Sequence, residues 1–199
     1  MKLPRVYPVV DSAAWVSRVV ALGVRLVQLR IKAPPGEALA RQLCEARDCC
    51  RLAGAQLVVN DHWQLALAAG CDFVHLGQGD LDSADVPALR RHRVRLGIST
   101  HDEAELERAL RLEPDYVALG PIYPTTLKVM PWAPQGLARI GEWKRRVGAR
   151  PLVAIGGLTA AHLPAVFAAG ADVAAVVSDI VRAADPSVRV REWLAAAAA

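Results

Sequence analysis

The chain has 199 residues, 53% of them hydrophobic, with a net charge of +4 and a sequence pI near 9.1; that is enough apolar material for one packed core and excludes a disordered chain. No basic run has the density of a nucleic-acid footprint, since Arg90-Arg91-His92-Arg93 with Arg95 falls where a helix meets a strand and reads as a solvated helix end. No apolar stretch approaches a membrane span, and the run Val6 to Val10 is too short for a signal peptide, so the sequence predicts a cytoplasmic protein with no nucleic-acid or membrane partner.

The first apolar run, Val6-Tyr7-Pro8-Val9-Val10, reads as a strand over 6–10, with helical periodicity following over 13–22. The second strand, 26–31, holds the most informative stretch. Val27, Leu29 and Ile31 alternate with Gln28, Arg30 and Lys32, so one face is apolar and the other carries two cations and an amide. A buried unpaired charge is very costly, which points to an anion that arrives from outside. Arginine suits a phosphate as a bidentate fork and lysine as a point charge. An edge strand with a solvated polar face would show the same alternation.

A helix over 36–53 comes next. Its stripe Leu39, Leu43, Ala46, Cys50 makes Cys50 a buried small hydrophobe rather than a catalytic thiol. The other cysteines, Cys44, Cys49 and Cys71, form no Cys-x-x-Cys pair, which argues against zinc. Strands at 56–60, 73–76, 94–98, 116–119, 152–155 and 173–177 then alternate with helices at 62–69, 84–91, 102–110, 135–147, 159–169 and 186–197. Ala68-Ala69-Gly70-Cys71-Asp72-Phe73-Val74 and Ala168-Ala169-Gly170-Ala171-Asp172-Val173-Ala174 repeat one device: helix end, glycine stop, aspartate, strand. Eight short apolar strands alternating with eight helices predict a single-domain (β/α)8 TIM barrel over residues 1–199. An open doubly wound sheet is the alternative, and three polar groups on the inner face of strand two fit a barrel mouth better. The long segment 120–134, with Thr125, Thr126 and Lys128 among its prolines, reads as a lid over that mouth.

Barrel enzymes place their chemistry where strands end. Those positions hold Arg30 and Lys32, Asn60-Asp61, His75 through Asp80, Ser99-Thr100-His101, Gly120-Pro121, Gly156-Gly157 and Ser178. Asp61 and Asp80, near Arg30, Lys32 and Lys128, look like Mg²⁺ ligands beside a polyphosphate, because Mg²⁺ commonly takes one or two carboxylates plus substrate phosphates. Taken singly, Asp61 could be a helix N-cap and Asp80 an Asx-turn residue. Ile155-Gly156-Gly157-Leu158-Thr159 and Val176-Val177-Ser178 follow strands seven and eight, where this fold keeps a backbone phosphate cup. One site thus suits a diphosphate and the other a monophosphate, which implies two phosphorylated small-molecule substrates. His75 and His101 are open between an inner-layer role and acid/base work. A homo-oligomer is compatible with the sequence.

The motifs Gln28-x-Arg30-x-Lys32, Asn60-Asp61, Val74-His75-Leu76-Gly77-Gln78-x-Asp80-Leu81, Gly97-x-Ser99-x-His101, Gly120-Pro121-x-x-x-Thr125-x-x-Lys128, Ala154-Ile155-Gly156-Gly157 and Val176-Val177-Ser178 run in order along nearly the whole chain. Together they resemble the thiamine phosphate synthase family. The resemblance implies a transferase that joins 4-amino-2-methyl-5-hydroxymethylpyrimidine diphosphate to 4-methyl-5-(2-phosphooxyethyl)thiazole, giving thiamine phosphate and pyrophosphate, with Mg²⁺ on Asp61 and Asp80. It implies diphosphate contacts from Arg30, Lys32, Asn60 and Lys128, and pyrimidine contacts from Gln28 and Ser99. It places the thiazole phosphate near Thr125, Gly157 and Ser178, with Thr126 and Val177 adjoining. Lys128, Arg30 and Ser99 are the expected catalytic groups. Gly79 stands where the family commonly has an acidic residue, and Val10 precedes Asp11 where a threonine is frequent. A thiazole tautomerase of the same superfamily and a non-catalytic thiamine-phosphate-binding regulator are the competing readings; each leaves the Arg30, Asp61 and Asp80 set without work.

Overall fold

Strands β1 (Val6–Val10), β2 (Leu26–Leu29), β3 (Gln56–Asn60), β4 (Phe73–Leu76), β5 (Arg95–Thr100), β6 (Tyr116–Leu119), β7 (Leu152–Ala154) and β8 (Val173–Val176) pair in parallel in sequence order. β8 closes onto β1 through the register Val6↔Ala174, Tyr7↔Ala175, Pro8↔Val176, so the sheet is a barrel and the open alternative is excluded. The computed structural model describes residues 2–125 and 132–198. Around the barrel run α1 (Ala13–Ala21), α2 (Glu37–Leu52), α3 (Trp63–Ala68), α4 (Val86–Arg91), α5 (Glu103–Arg111), α6 (Gly136–Val147), α7 (Leu163–Ala168), α8 (Ser178–Val181) and α9 (Pro186–Ala198).

Alternation along each strand divides the core in two. Val6, Val10, Val27, Leu29, Val74 and Leu76 point outward into the layer shared with the helices. Tyr7, Leu26, Val58, Phe73, Tyr116 and Val153 fill the barrel interior. The buried face of α2 is Leu39, Leu43, Ala46 and Cys50, as the helical stripe requires. Burial pushes the Cys50 thiol up to about 12, so it carries no thiolate at neutral pH. No described helix is long and apolar enough to cross a membrane.

The boundaries depart from expectation in instructive places. Strand two ends at Leu29, so Arg30 and Lys32 stand on the loop beyond it. The expected helix over 159–169 is a 3₁₀ turn at Ala160–His162 followed by α7, whose first turn holds Pro164, where a missing N–H does no harm. The short α8 is an element the sequence reading did not contain; it opens at Ser178, directly after β8.

Candidate active site

A cavity of about 680 Å³ opens at the ends of the strands. On one side it is lined by Gln28, Arg30 and Lys32 from β2 and its loop, Asn60 and Asp61 from the end of β3, and Asp80 beyond β4. Ser99, Thr125, Gly157, Val177 and Ser178 line the rest. Every expected site residue within the described segments therefore meets in one space. Thr126 and Lys128 lie outside the described residues.

The two aspartates are in contact, and their surroundings are electrostatically demanding. Burial comes first in holding the Asp61 carboxyl above its ordinary range. The Asp80 charge and a hydrogen bond to Asp80 add to it, while Arg30 and an Asn60 hydrogen bond oppose it. Asp61 is not the N-cap of α3; that position is His62. Asp61 instead takes φ 62°, in the left-handed region, which costs a non-glycine residue roughly 1–2 kcal/mol. Its amide donates to His75 O at 3.0 Å, and that bond holds the turn in place. Asp80 Oδ2 accepts from the Gly77 amide, three residues back, at 3.0 Å; this is not the Asx-turn bond, which would run to an amide two residues ahead. One carboxylate oxygen anchors the loop while the residue faces the cavity. Hard oxygen donors paired this way suit Mg²⁺ with phosphate oxygens completing its shell. Among the described residues no group of three or more His, Cys, Asp or Glu side chains could hold a metal alone.

The histidines differ in their settings. His75 is 7% exposed, and burial, with the Arg30 charge, pulls it down to about 4. Its Nε2 lies 2.8 Å from Ser99 Oγ and its Nδ1 2.7 Å from the Tyr116 hydroxyl. A serine beside a histidine invites comparison with a nucleophile–base pair. Here the imidazole is backed by a phenol rather than a carboxylate and is too weak a base for that task. His101 is held at the rim: Nδ1 is 2.7 Å from Glu105, and the ring stacks on Trp132 at 4.0 Å between centroids.

The loops after β6 and β7 are laced together. Ile122 N donates to Ile155 O at 2.9 Å and Tyr123 N to Gly156 O at 3.0 Å. A Cβ on Gly157, at φ 67°, would come within 2.5 Å of Pro124 O and 2.8 Å of the Tyr123 backbone. Such a Cβ would therefore collide with the neighbouring loop. Gly157→Val is therefore expected to weaken binding of both phosphorylated ligands, because that loop leads to Thr125 and Lys128. Calorimetric titration of each ligand checks this, and loss confined to one of them would contradict it.

Comparison with known proteins decides the family. The family model described as thiamine monophosphate synthase matches residues 6–180. The chain belongs to the thiamine monophosphate synthase family. It is an enzyme of thiamine biosynthesis, a transferase with thiamine-phosphate synthase function. The thiamine-phosphate synthase of Rhizobium etli is 57% identical over 198 residues, covering 100% of this chain and 97% of the relative. That of Neisseria meningitidis is 45% identical over 189 residues, covering 95% and 92%. The thiamine phosphate pyrophosphorylase of Pyrococcus furiosus superposes with a TM-score of 0.84 at 25% identity, over 98% of this chain and 95% of that one.

Sequence reasoning missed Tyr7 and Tyr116, which sit in strands read as apolar runs. A signal was available: both fall at inward positions of their strands, and a buried tyrosine hydroxyl needs a partner. The glycine of the Gly97-x-Ser99 motif also acquires a reason. A Cβ there would lie 2.1 Å from the Tyr116 ring, so Gly97 leaves the space that ring occupies inside the barrel.

Proposed function

We propose that the chain condenses 4-amino-2-methyl-5-hydroxymethylpyrimidine diphosphate with 4-methyl-5-(2-phosphooxyethyl)thiazole, releasing pyrophosphate. The observation that carries this reading is the Asp61–Asp80 pair with Arg30 and Asn60 beside it, in the same cavity as Gly157 and Ser178. In an eight-stranded closed barrel, β3 and β7 stand four strands apart, so the two proposed anion sites would face each other across the mouth. Arg30, Lys32 and Asn60 would hold the diphosphate, and Lys128 would add a further positive charge. Gln28 and Ser99 would hold the pyrimidine. Thr125, Thr126, Gly157, Val177 and Ser178 would hold the thiazole phosphate. Asp61 and Asp80 would hold Mg²⁺, which when bound supplies positive charge against the departing diphosphate.

The substrate's CH₂–O bond breaks and the electron pair leaves with pyrophosphate. The amino-substituted ring stabilises the CH₂ cation that remains. The thiazole nitrogen then donates its lone pair to form the new C–N bond, and no protein nucleophile is required. Arg30 and Lys128 neutralise charge as it develops on the leaving group. The barrel's share is orientation of the two ligands and exclusion of water. Electron-withdrawing substituents on the pyrimidine should slow the single-turnover rate steeply at saturating thiazole phosphate. A flat dependence with chemistry rate-limiting, or a trapped pyrimidine–enzyme adduct, would refute the cation.

Incubation with both substrates and Mg²⁺, followed by mass analysis, tests the reaction itself: the product should have the mass of thiamine phosphate. A thiazole tautomerase would instead alter the thiazole phosphate alone. His101, paired with Glu105 at the rim, is the proton shuttle available to that activity.

A further inference from the structure

A chain of hydrogen bonds crosses the barrel interior at the floor of the cavity. Gln28 Nε2 lies 3.0 Å from the Tyr7 hydroxyl, and that hydroxyl 3.0 Å from the Tyr116 hydroxyl. Tyr116 continues to His75 Nδ1 at 2.7 Å, and His75 Nε2 reaches Ser99 Oγ at 2.8 Å. The first four residues are buried, at 5% exposure for Gln28, 1% for Tyr7, 0% for Tyr116 and 7% for His75, and Gln28, Tyr7 and His75 form part of the cavity floor. Ser99, the last, is partly exposed and lines the cavity.

Counting protons fixes the direction of the chain. The Gln28 amide nitrogen can donate and cannot accept, so the Tyr7 oxygen accepts and its own proton goes to Tyr116. Tyr116 then gives its proton to His75 Nδ1, which must be bare. The single ring proton sits on Nε2 and is donated to Ser99 Oγ. An imidazolium would carry protons on both nitrogens and leave one tyrosine proton with no acceptor in the chain. The serine proton is used by none of these links and is left for the cavity. Reversing one link would strand a buried polar group, at about 1–3 kcal/mol, so the chain keeps one polarity as a unit.

We infer that Tyr7, Tyr116 and His75 are positioning residues that hold the Ser99 hydroxyl as a hydrogen-bond donor toward the substrate, so that the pyrimidine diphosphate places an acceptor atom there and not its amino group. This rests on the cavity being the synthase site. It adds a source of selectivity: a ligand offering a donor at that point would meet a donor, and the buried chain cannot turn round cheaply.

Nitrogen-15 NMR of the histidine-labelled wild-type chain tests the polarity without reference to activity, with the His75 signals assigned by their loss in His75→Gln. The expected result is a bare Nδ1 and a protonated Nε2 at neutral pH. A protonated Nδ1 overturns the inference. The kinetic test is a double-mutant cycle in kcat/KM for the pyrimidine diphosphate. Ser99→Ala and Tyr116→Phe should each lower it about tenfold, the worth of one hydrogen bond, and the double variant should be no worse than Ser99→Ala. Losses that multiply would show that Tyr116 acts by packing alone and would overturn it. Should Tyr116→Phe fail to fold, the NMR result on the wild type decides. A wild type that makes no thiamine phosphate would defeat the synthase reading while leaving the measured tautomer intact.

Discussion

Asp80→Asn is expected to lower kcat about a thousandfold while leaving the melting temperature close to that of the wild type, since metal assistance is worth several kcal/mol and each 1.4 kcal/mol is about tenfold in rate. Asp61→Asn should be comparably inactive and, without metal, more stable than the wild type by a few degrees in Tm. The sign follows from the direction of the shift. A carboxyl whose folded-state pKa is raised favours folding when protonated, and that contribution is lost as pH rises through the window between its unfolded and folded values. At neutral pH the ionised Asp61 beside Asp80 therefore destabilises the fold, and an uncharged asparagine, which tolerates φ 62°, relieves both costs. Steady-state kinetics and melting with EDTA measure the two effects. Near-normal turnover in both variants would remove the metal assignment.

Arg30→Ala should raise the KM for the pyrimidine diphosphate about a hundredfold, because a charge-assisted hydrogen bond contributes about 1.5–3 kcal/mol and arginine can make two. The same change removes the Arg30 charge that opposes the shift of Asp61 and should raise that carboxyl further. Lys128→Ala is expected to lower kcat more than it raises KM, if its charge is needed chiefly as the diphosphate departs. Initial rates against each substrate separate these outcomes. An Arg30→Ala enzyme with unchanged KM for the diphosphate would place that ligand elsewhere in the cavity.

The barrel was legible because its signals are local. Each strand is a short apolar run, and glycine stops such as Gly70 and Gly170 punctuate the units at positive φ of 67° and 111°. The cluster of cations and carboxylates at the mouth was legible for the same reason: Gln28, Arg30 and Lys32 alternate on one strand and its loop, and Asp61 and Asp80 follow neighbouring strands. What stayed hidden depends on contacts across the barrel. The Tyr7–Tyr116–His75 chain joins β1, β6 and β4, and nothing local to any of them announces the others. Likewise the Gly157 backbone conformation makes sense only once the Tyr123–Pro124 backbone is seen against it. The helix at Ser178 escaped because four residues carry no periodicity to detect.

Crystals grown with Mn²⁺ and pyrophosphate test the central claim most directly, because manganese reports its own position by anomalous scattering. The account predicts an anomalous peak coordinated by Asp61 and Asp80, with the pyrophosphate bridging it to Arg30 and Asn60. A peak elsewhere, or pyrophosphate seated at Gly157 and Ser178 with the aspartates unligated, would contradict it.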